Sequence, residues 1–157
     1  MIPGVFVPYV PSESGGAEFN LERALRMTME KHPFGEYTID CLLISEAASL
    51  AKGFDPAVIK KRWFQVFRIF FELLPIIGDD VDAWSDDGNT MTMCWDISHH
   101  DPIDGCYDGS VFYVNIGDAD VRWWFEGKRN APRMDGVTSS LKELAEAASE
   151  AVRLTRG

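Results

Sequence analysis

The spacing of hydrophobic positions changes once along this chain, near Gly78. Before that point they recur at helical intervals. Leu21, Leu25, Thr28 and Met29 share one face of a helix expected over 21–31. Asn20 opens it, because its side chain can accept a hydrogen bond from an orphan amide. Glu22, Arg26 and Glu30, spaced i,i+4, favour the same helix, and Pro33 and Gly35 end it. Ile39, Leu42, Leu43, Ala47 and Leu50 mark a second helix over 38–52, stopped by Gly53. Asp55 and Pro56 open a third, expected to run to Leu74, ahead of Pro75. Its stripe is Ile59, Trp63, Val66, Phe67, Phe70, Leu73 and Leu74, with Val58, Phe64, Ile69 and Phe71 off it. A helix apolar on most sides packs on several neighbours or meets another chain; packing within this chain is the expectation.

After Gly78 the period is two. Strands are expected over 81–85, 90–97, 111–116 and 120–126. Asp87-Gly88 and Gly117-Asp118 supply turns. Met91, Met93, Trp95 and Ile97 alternate with Thr90, Thr92, Cys94 and Asp96. His99–Asp108 reads as a polar loop, and 127–136, with Lys128, Arg129 and Arg133, as a basic one. Leu141, Leu144, Ala145, Ala148 and Val152 form the stripe of a last helix, with Ser140 and Glu143 as a capping box. Three N-terminal helices, a four-stranded antiparallel meander and one C-terminal helix make an α+β fold, its sheet backed by the third helix. Trp63, Phe67, Phe70, Met93 and Trp95 are the expected core. Residues 1–18, punctuated by Pro3, Pro8 and Pro11, read as an extended N-terminal arm on a single domain spanning 1–157.

Composition adds exclusions. The most apolar segment, 63–77, contains Gln65, Arg68, Glu72 and Pro75 and falls short of the roughly 20 apolar residues a span needs. No basic n-region precedes an apolar stretch at the N-terminus. The three cysteines, Cys41, Cys94 and Cys106, show no C-x-x-C spacing. A soluble cytoplasmic protein without a disulfide framework is the expectation. A net charge of -10 argues against direct binding to nucleic acid or to an anionic membrane.

That charge is segregated. Residues 69–121 hold 12 of the 25 acidic residues and none of the 15 basic ones. Clustered like charge attracts a basic surface and speeds encounter with it. Alternation places Asp82, Trp84, Tyr113, Asn115 and Trp124 on the outer face of the sheet, so aromatic anchors sit among carboxylates. The expected partner-binding set is Asp79, Asp80, Asp82, Trp84, Asp86, Asp87, Asp96, Tyr113, Asp118, Asp120 and Trp124. The plain alternative is that Asp simply makes and solubilises turns, and that the arm or last helix covers the aromatic residues.

Reactive constellations are weak by comparison. The 99–108 loop carries His99, His100, Asp101, Asp104, Cys106 and Asp108, but neither zinc-site spacing nor an EF-hand pattern. Cys94 or Cys106 beside His99 or His100 lacks an orienting third group. Ser49-Leu50-Ala51-Lys52 matches S-x-x-K without its companion motifs. No phosphate-binding glycine loop or H-E-x-x-H occurs. The expectation is a non-enzymatic acidic inhibitor or binding protein, with no catalytic residue, metal or cofactor. It would engage a basic protein surface, that of a nucleic-acid-binding protein or complex included, as an immunity protein or a phage anti-defence inhibitor mimicking nucleic-acid charge does. Two rivals remain: a structural subunit docking through the third helix, and a small metal-dependent hydrolase built on the 99–108 loop.

Overall fold

Helix starts follow the capping chemistry, with one exception that comes from a distant residue. The computed structural model describes residues 19–98, 109–127 and 134–156. Helix α1 spans Leu21–Lys31, and Asn20 Oδ1 accepts from Arg23 N at 2.9 Å. Helix α2, Glu36–Ala51, starts two residues before the expected Thr38. Gly35 has no side chain to cap it. Asp79, 44 positions on, accepts from Gly35 N at 2.7 Å, and Thr38 Oγ1 donates to the Asp79 carbonyl at 2.8 Å. Helix α3, Pro56–Ile77, is capped by Asp55. It continues past Pro75, because a proline near a helix end removes one hydrogen bond without preventing the last turn. Ile77 is buried there, and Gly78, at φ 81°, donates to Leu74 O and ends the helix.

The strands are β1 Val81–Trp84, β2 Met91–Asp96, β3 Val111–Ile116, β4 Val121–Glu126 and β5 Met134–Thr138, followed by helix α4, Leu141–Arg156. They pair antiparallel in chain order. The α+β class holds, with four helices and five strands rather than four. The missed strand, β5, lies at the end of the segment expected to be a loop. Asp135 and Gly136 are poor strand formers, so the local signal was faint. Pairing with β4 overrides it. Gly136 sits opposite Trp123, and a Cβ there would stand 2.7 Å from the indole, so the glycine makes room for a ring. The expected arm over 1–18, the 99–108 loop and the cations Lys128, Arg129 and Arg133 lie outside the described residues.

The inner face of the sheet carries Val81, Ala83, Met91, Met93, Trp95, Phe112, Val114, Ile116, Val121 and Phe125, all buried. It packs against α3 and α4. Helix α3 also meets α1 and α2, which is why it is apolar on most sides. Trp63, Phe70, Met93 and Trp95 are buried as expected. Phe67 is only half-buried, against the rings of Phe19 and Phe71, while Ile69, off the expected stripe, is fully buried.

One buried charge organises the end of this core. Arg62 on α3 has no exposed surface. Its Nε donates to Asn89 O at 2.5 Å, in the β1–β2 turn. One terminal nitrogen donates to Gln65 Oε1 at 3.1 Å and the other to Asp118 Oδ1 at 2.6 Å, in the β3–β4 turn. Both turns are thereby tied to one point on α3. The β1–β2 turn is further held by Gly88, at φ 77°, whose bare Cα abuts the Phe54 ring.

Replacing Arg62 by Ala is expected to cost about 2–3 kcal/mol in urea unfolding, the range for buried hydrogen bonds to a charged group. Asp118→Asn should cost distinctly less, since that carboxylate is 67% exposed. Arg62 and then Lys61 hold the Asp118 carboxyl below its usual range. A carboxyl depressed by folding contributes stability above its unfolded pKa and loses it as pH falls through the folded value. The gap between wild type and Asp118→Asn should therefore close in acid. In the core, Phe70→Ala should cost about 3–5 kcal/mol and Phe67→Ala clearly less.

Candidate functional site on the outer face of the sheet

Strand register sorts the outer side chains into rows. One row runs Asp82, Cys94, Tyr113, Trp124, Asp135 across all five strands. The next runs Trp84, Thr92, Asn115, Arg122, Val137. A third holds Asp96, Val111 and Glu126, with Asp80 joined through its carbonyl to Asp96 N at 2.9 Å. In the first row Tyr113 and Trp124 stack, with centroids 4.7 Å apart and planes 13° from parallel. In the second, Asn115 Nδ2 donates to Thr92 Oγ1 at 3.1 Å. Helices α3 and α4 meet the opposite face, so among the described elements none crosses this one.

Helix α2 lies beside β1 and lengthens the surface. Its Ser45 Oγ donates to Asp82 Oδ1 at 3.0 Å. Tyr37, Cys41, Ile44 and Ser45 fall on one helical stripe at i, i+4, i+7, i+8. Tyr37 is 79% exposed and Ile44 70%. These large, exposed side chains add apolar surface beside a sheet face that carries half-buried Trp84, Tyr113 and Trp124.

The face is electrically negative, and its titratable groups register this. Burial, then Asp96 and Asp79, push the Asp80 carboxyl above its usual range. Burial raises the Cys94 thiol; the Tyr113 hydroxyl opposes this, while Asp96, Asp82 and Asp80 add to it. Cys94, burial, the bond between the two side chains, and Glu126 raise Tyr113. A thiol pushed up in this way is a poor nucleophile at neutral pH.

The expected partner-binding residues divide into two groups. Asp82, Trp84, Asp96, Tyr113 and Trp124 share the outer face, with Asp80 exposed at its margin. Asp86 and Asp120 are exposed in turns away from it. Asp79 faces α2, where it takes the place of an N-cap. Asp87 accepts from Asn89 N and Thr90 N, both at 2.8 Å, and these bonds lower its pKa. Asp118 belongs to Arg62 and Lys61. Three of the expected surface acids thus hold the fold. A stretch of sequence without cations is also not a region of space without them, because Lys61 and Arg62 arrive from α3. Glu126 and Asp135 also belong on the face, outside the expected set; Asp135 depends on recognising β5.

The S-x-x-K pair has structural work. Ser49 Oγ accepts from Trp63 Nε1 at 3.0 Å and donates to Glu46 O. Lys52 donates to Ser85 O at 3.1 Å. Among the described residues no group of three or more His, Cys, Asp or Glu side chains could hold a metal. His99, His100, Asp101, Asp104, Cys106 and Asp108 lie outside them. No described helix is long and apolar enough to cross a membrane. Compared with protein-family models, with curated proteins and with solved structures, the chain gives no match.

Asp80→Asn is expected to stabilise the protein at neutral pH. A carboxyl whose folded pKa is raised costs stability when ionised, so the gain should vanish below the unfolded value of about 3.9. Thermal melts of both proteins across pH 3–7 check this, and a gain that persisted in acid would contradict it.

Proposed function

We propose that the protein is a non-enzymatic binding protein that seats a basic protein surface on the outer face of its sheet. The observation that carries this is the stacked Tyr113–Trp124 pair, set in a row ended by Asp82 and Asp135 on a face that no described helix crosses. Rigid aromatic side chains contribute contact area at low entropic cost, and a carboxylate rim steers and selects a cationic partner. Carboxylates standing where phosphates would otherwise lie suit an inhibitor of a nucleic-acid-binding protein, an immunity protein or an anti-defence protein among them.

Size argues for the composite surface rather than the sheet alone. Four strand spacings by two i,i+2 steps make a patch of about 19 by 13 Å, roughly 250 Å². A specific interface takes about 800 Å² from each partner. The α2 stripe with Tyr37 and Ile44 adds apolar area alongside Asp82. Docking through α3 has less support. Of its four off-stripe apolar residues, Ile69 is buried, Val58 and Phe64 are half-buried, and Phe71 is 42% exposed.

The test begins with capture of binders at low and high salt, followed by association and dissociation rates for each. Changing Asp82, Asp96 and Asp135 to Asn should leave the fold intact, slow association and flatten its salt dependence. Trp124→Ala should speed dissociation by an amount worth about 2 kcal/mol or more. Binding untouched by both sets, yet lost in Phe71→Ser, would replace this reading with docking through α3.

A further inference from the structure

Among the described residues, the stacked pair leaves one face of Trp124 open. Tyr113 on β3 covers the indole from one side, 4.7 Å away. On the other side, in the same cross-strand row, stands Asp135 on β5. A groove of about 420 Å³ opens here, lined by Arg122, Trp123, Trp124, Asp135, Gly136 and Val137. Asp135 is exposed, and the β4–β5 ladder holds its main chain opposite Trp124. An aromatic plane on one side and a carboxylate on the other define the complement of a flat cation.

We infer that this groove receives an arginine side chain of the partner protein, its guanidinium stacked on the open face of Trp124 and paired with Asp135. The inference rests on the basic-surface reading above and names the group that reading would recognise. Arginine fits where lysine does not. Its planar guanidinium lies flat on an indole and meets a carboxylate through two parallel N–H bonds, whereas an ammonium is a compact, strongly hydrated point charge. Glu126, two residues from Trp124 along β4, and Asp96, in the same row as Glu126, add attraction at longer range.

Arg122 bears on the same groove. It is the one cation among the described residues of the outer face and lies toward the Val137 end of the groove. It therefore repels a guanidinium at that end. The same lining suggests a competitor, a nucleotide with its base on Trp124 and its phosphate on Arg122. The surrounding carboxylates oppose a phosphate, and Arg122 has opposite effects in the two cases.

Calorimetric titration with hexa-arginine, hexa-lysine and guanosine monophosphate separates these outcomes. Hexa-arginine should bind about threefold to tenfold more tightly than hexa-lysine, the range for an exposed cation–π contact with a paired carboxylate. Asp135→Asn and Trp124→Leu, each checked for an unchanged melt, should abolish that difference, whereas Asp96→Asn should weaken both peptides alike. Arg122→Gln should tighten hexa-arginine. Equal binding of the two peptides to wild type, or equal effects of Asp135→Asn and Asp96→Asn, would overturn the slot while leaving the basic-surface reading standing. Binding of the nucleotide, lost in Arg122→Gln, would overturn the slot in favour of an anionic ligand. No binding of either peptide would overturn both readings.

Discussion

A single buried guanidinium sets the relation between helices and sheet. Removing Arg62 from water costs several kcal/mol unless its donors are satisfied. They are met by a carbonyl in one turn, a carboxylate in another and an amide side chain on the same helix. Because the two turns belong to different hairpins, meeting those donors also fixes where the β1–β2 and β3–β4 hairpins stand on α3. Hydrophobic packing under Trp95 and Phe112 is non-directional and would tolerate small rotations of the sheet. The Arg62 bonds would not. The tilt of the whole sheet, and with it the presentation of the outer face, depends on this cation.

The acidic residues serve two purposes, separated by geometry. Asp79, Asp87 and Asp118 are spent on backbone amides and cations, where their charge is neutralised or shared. Asp80, Asp82, Asp96 and Asp135 lie on or beside the outer face with its aromatic residues, and at Asp80 burial and the neighbouring Asp96 and Asp79 carboxylates raise the carboxyl above its usual range. Like charges held together by folding destabilise the native state, and under the proposed function a cationic partner would relieve that repulsion. The Asp80 carboxyl and Cys94 thiol, both raised partly by neighbouring acids, show that this field reaches the side chains of the face itself.

Stacking gives the aromatic pair its rigidity. Tyr113 and Trp124 lie at directly opposed positions on adjacent strands, where cross-strand aromatic pairs are held closest. Each ring limits the freedom of the other, so little entropy remains to be lost on contact with a partner. Gly136 serves the other side of the same sheet. By carrying no Cβ it lets Trp123 lie across β5 on the inner face, which anchors the strand that brings Asp135 beside Trp124.

Local physics decided much of this architecture in advance. Helix periodicity, the caps at Asn20 and Asp55, the Asp87-Gly88 turn and the clean alternation of β2 and β3 are short-range properties, so four helices, four strands and the outward placement of Asp82, Trp84, Tyr113 and Trp124 were legible in the sequence. Tertiary structure decided what depends on distant partners. Strand β5 exists because β4 offers it hydrogen bonds and an indole to lie under, which no propensity of Met-Asp-Gly-Val-Thr records. Helix α2 begins where it does because Asp79 reaches it across 44 positions. Arg62 read as one more charge on a helix, and became a buried clamp only when two turns converged on it. The sequence could count carboxylates but not apportion them. Whether an aspartate meets an amide, a guanidinium or water is settled by neighbours in space, and that choice separates the acids that hold the fold from those left on the outer face.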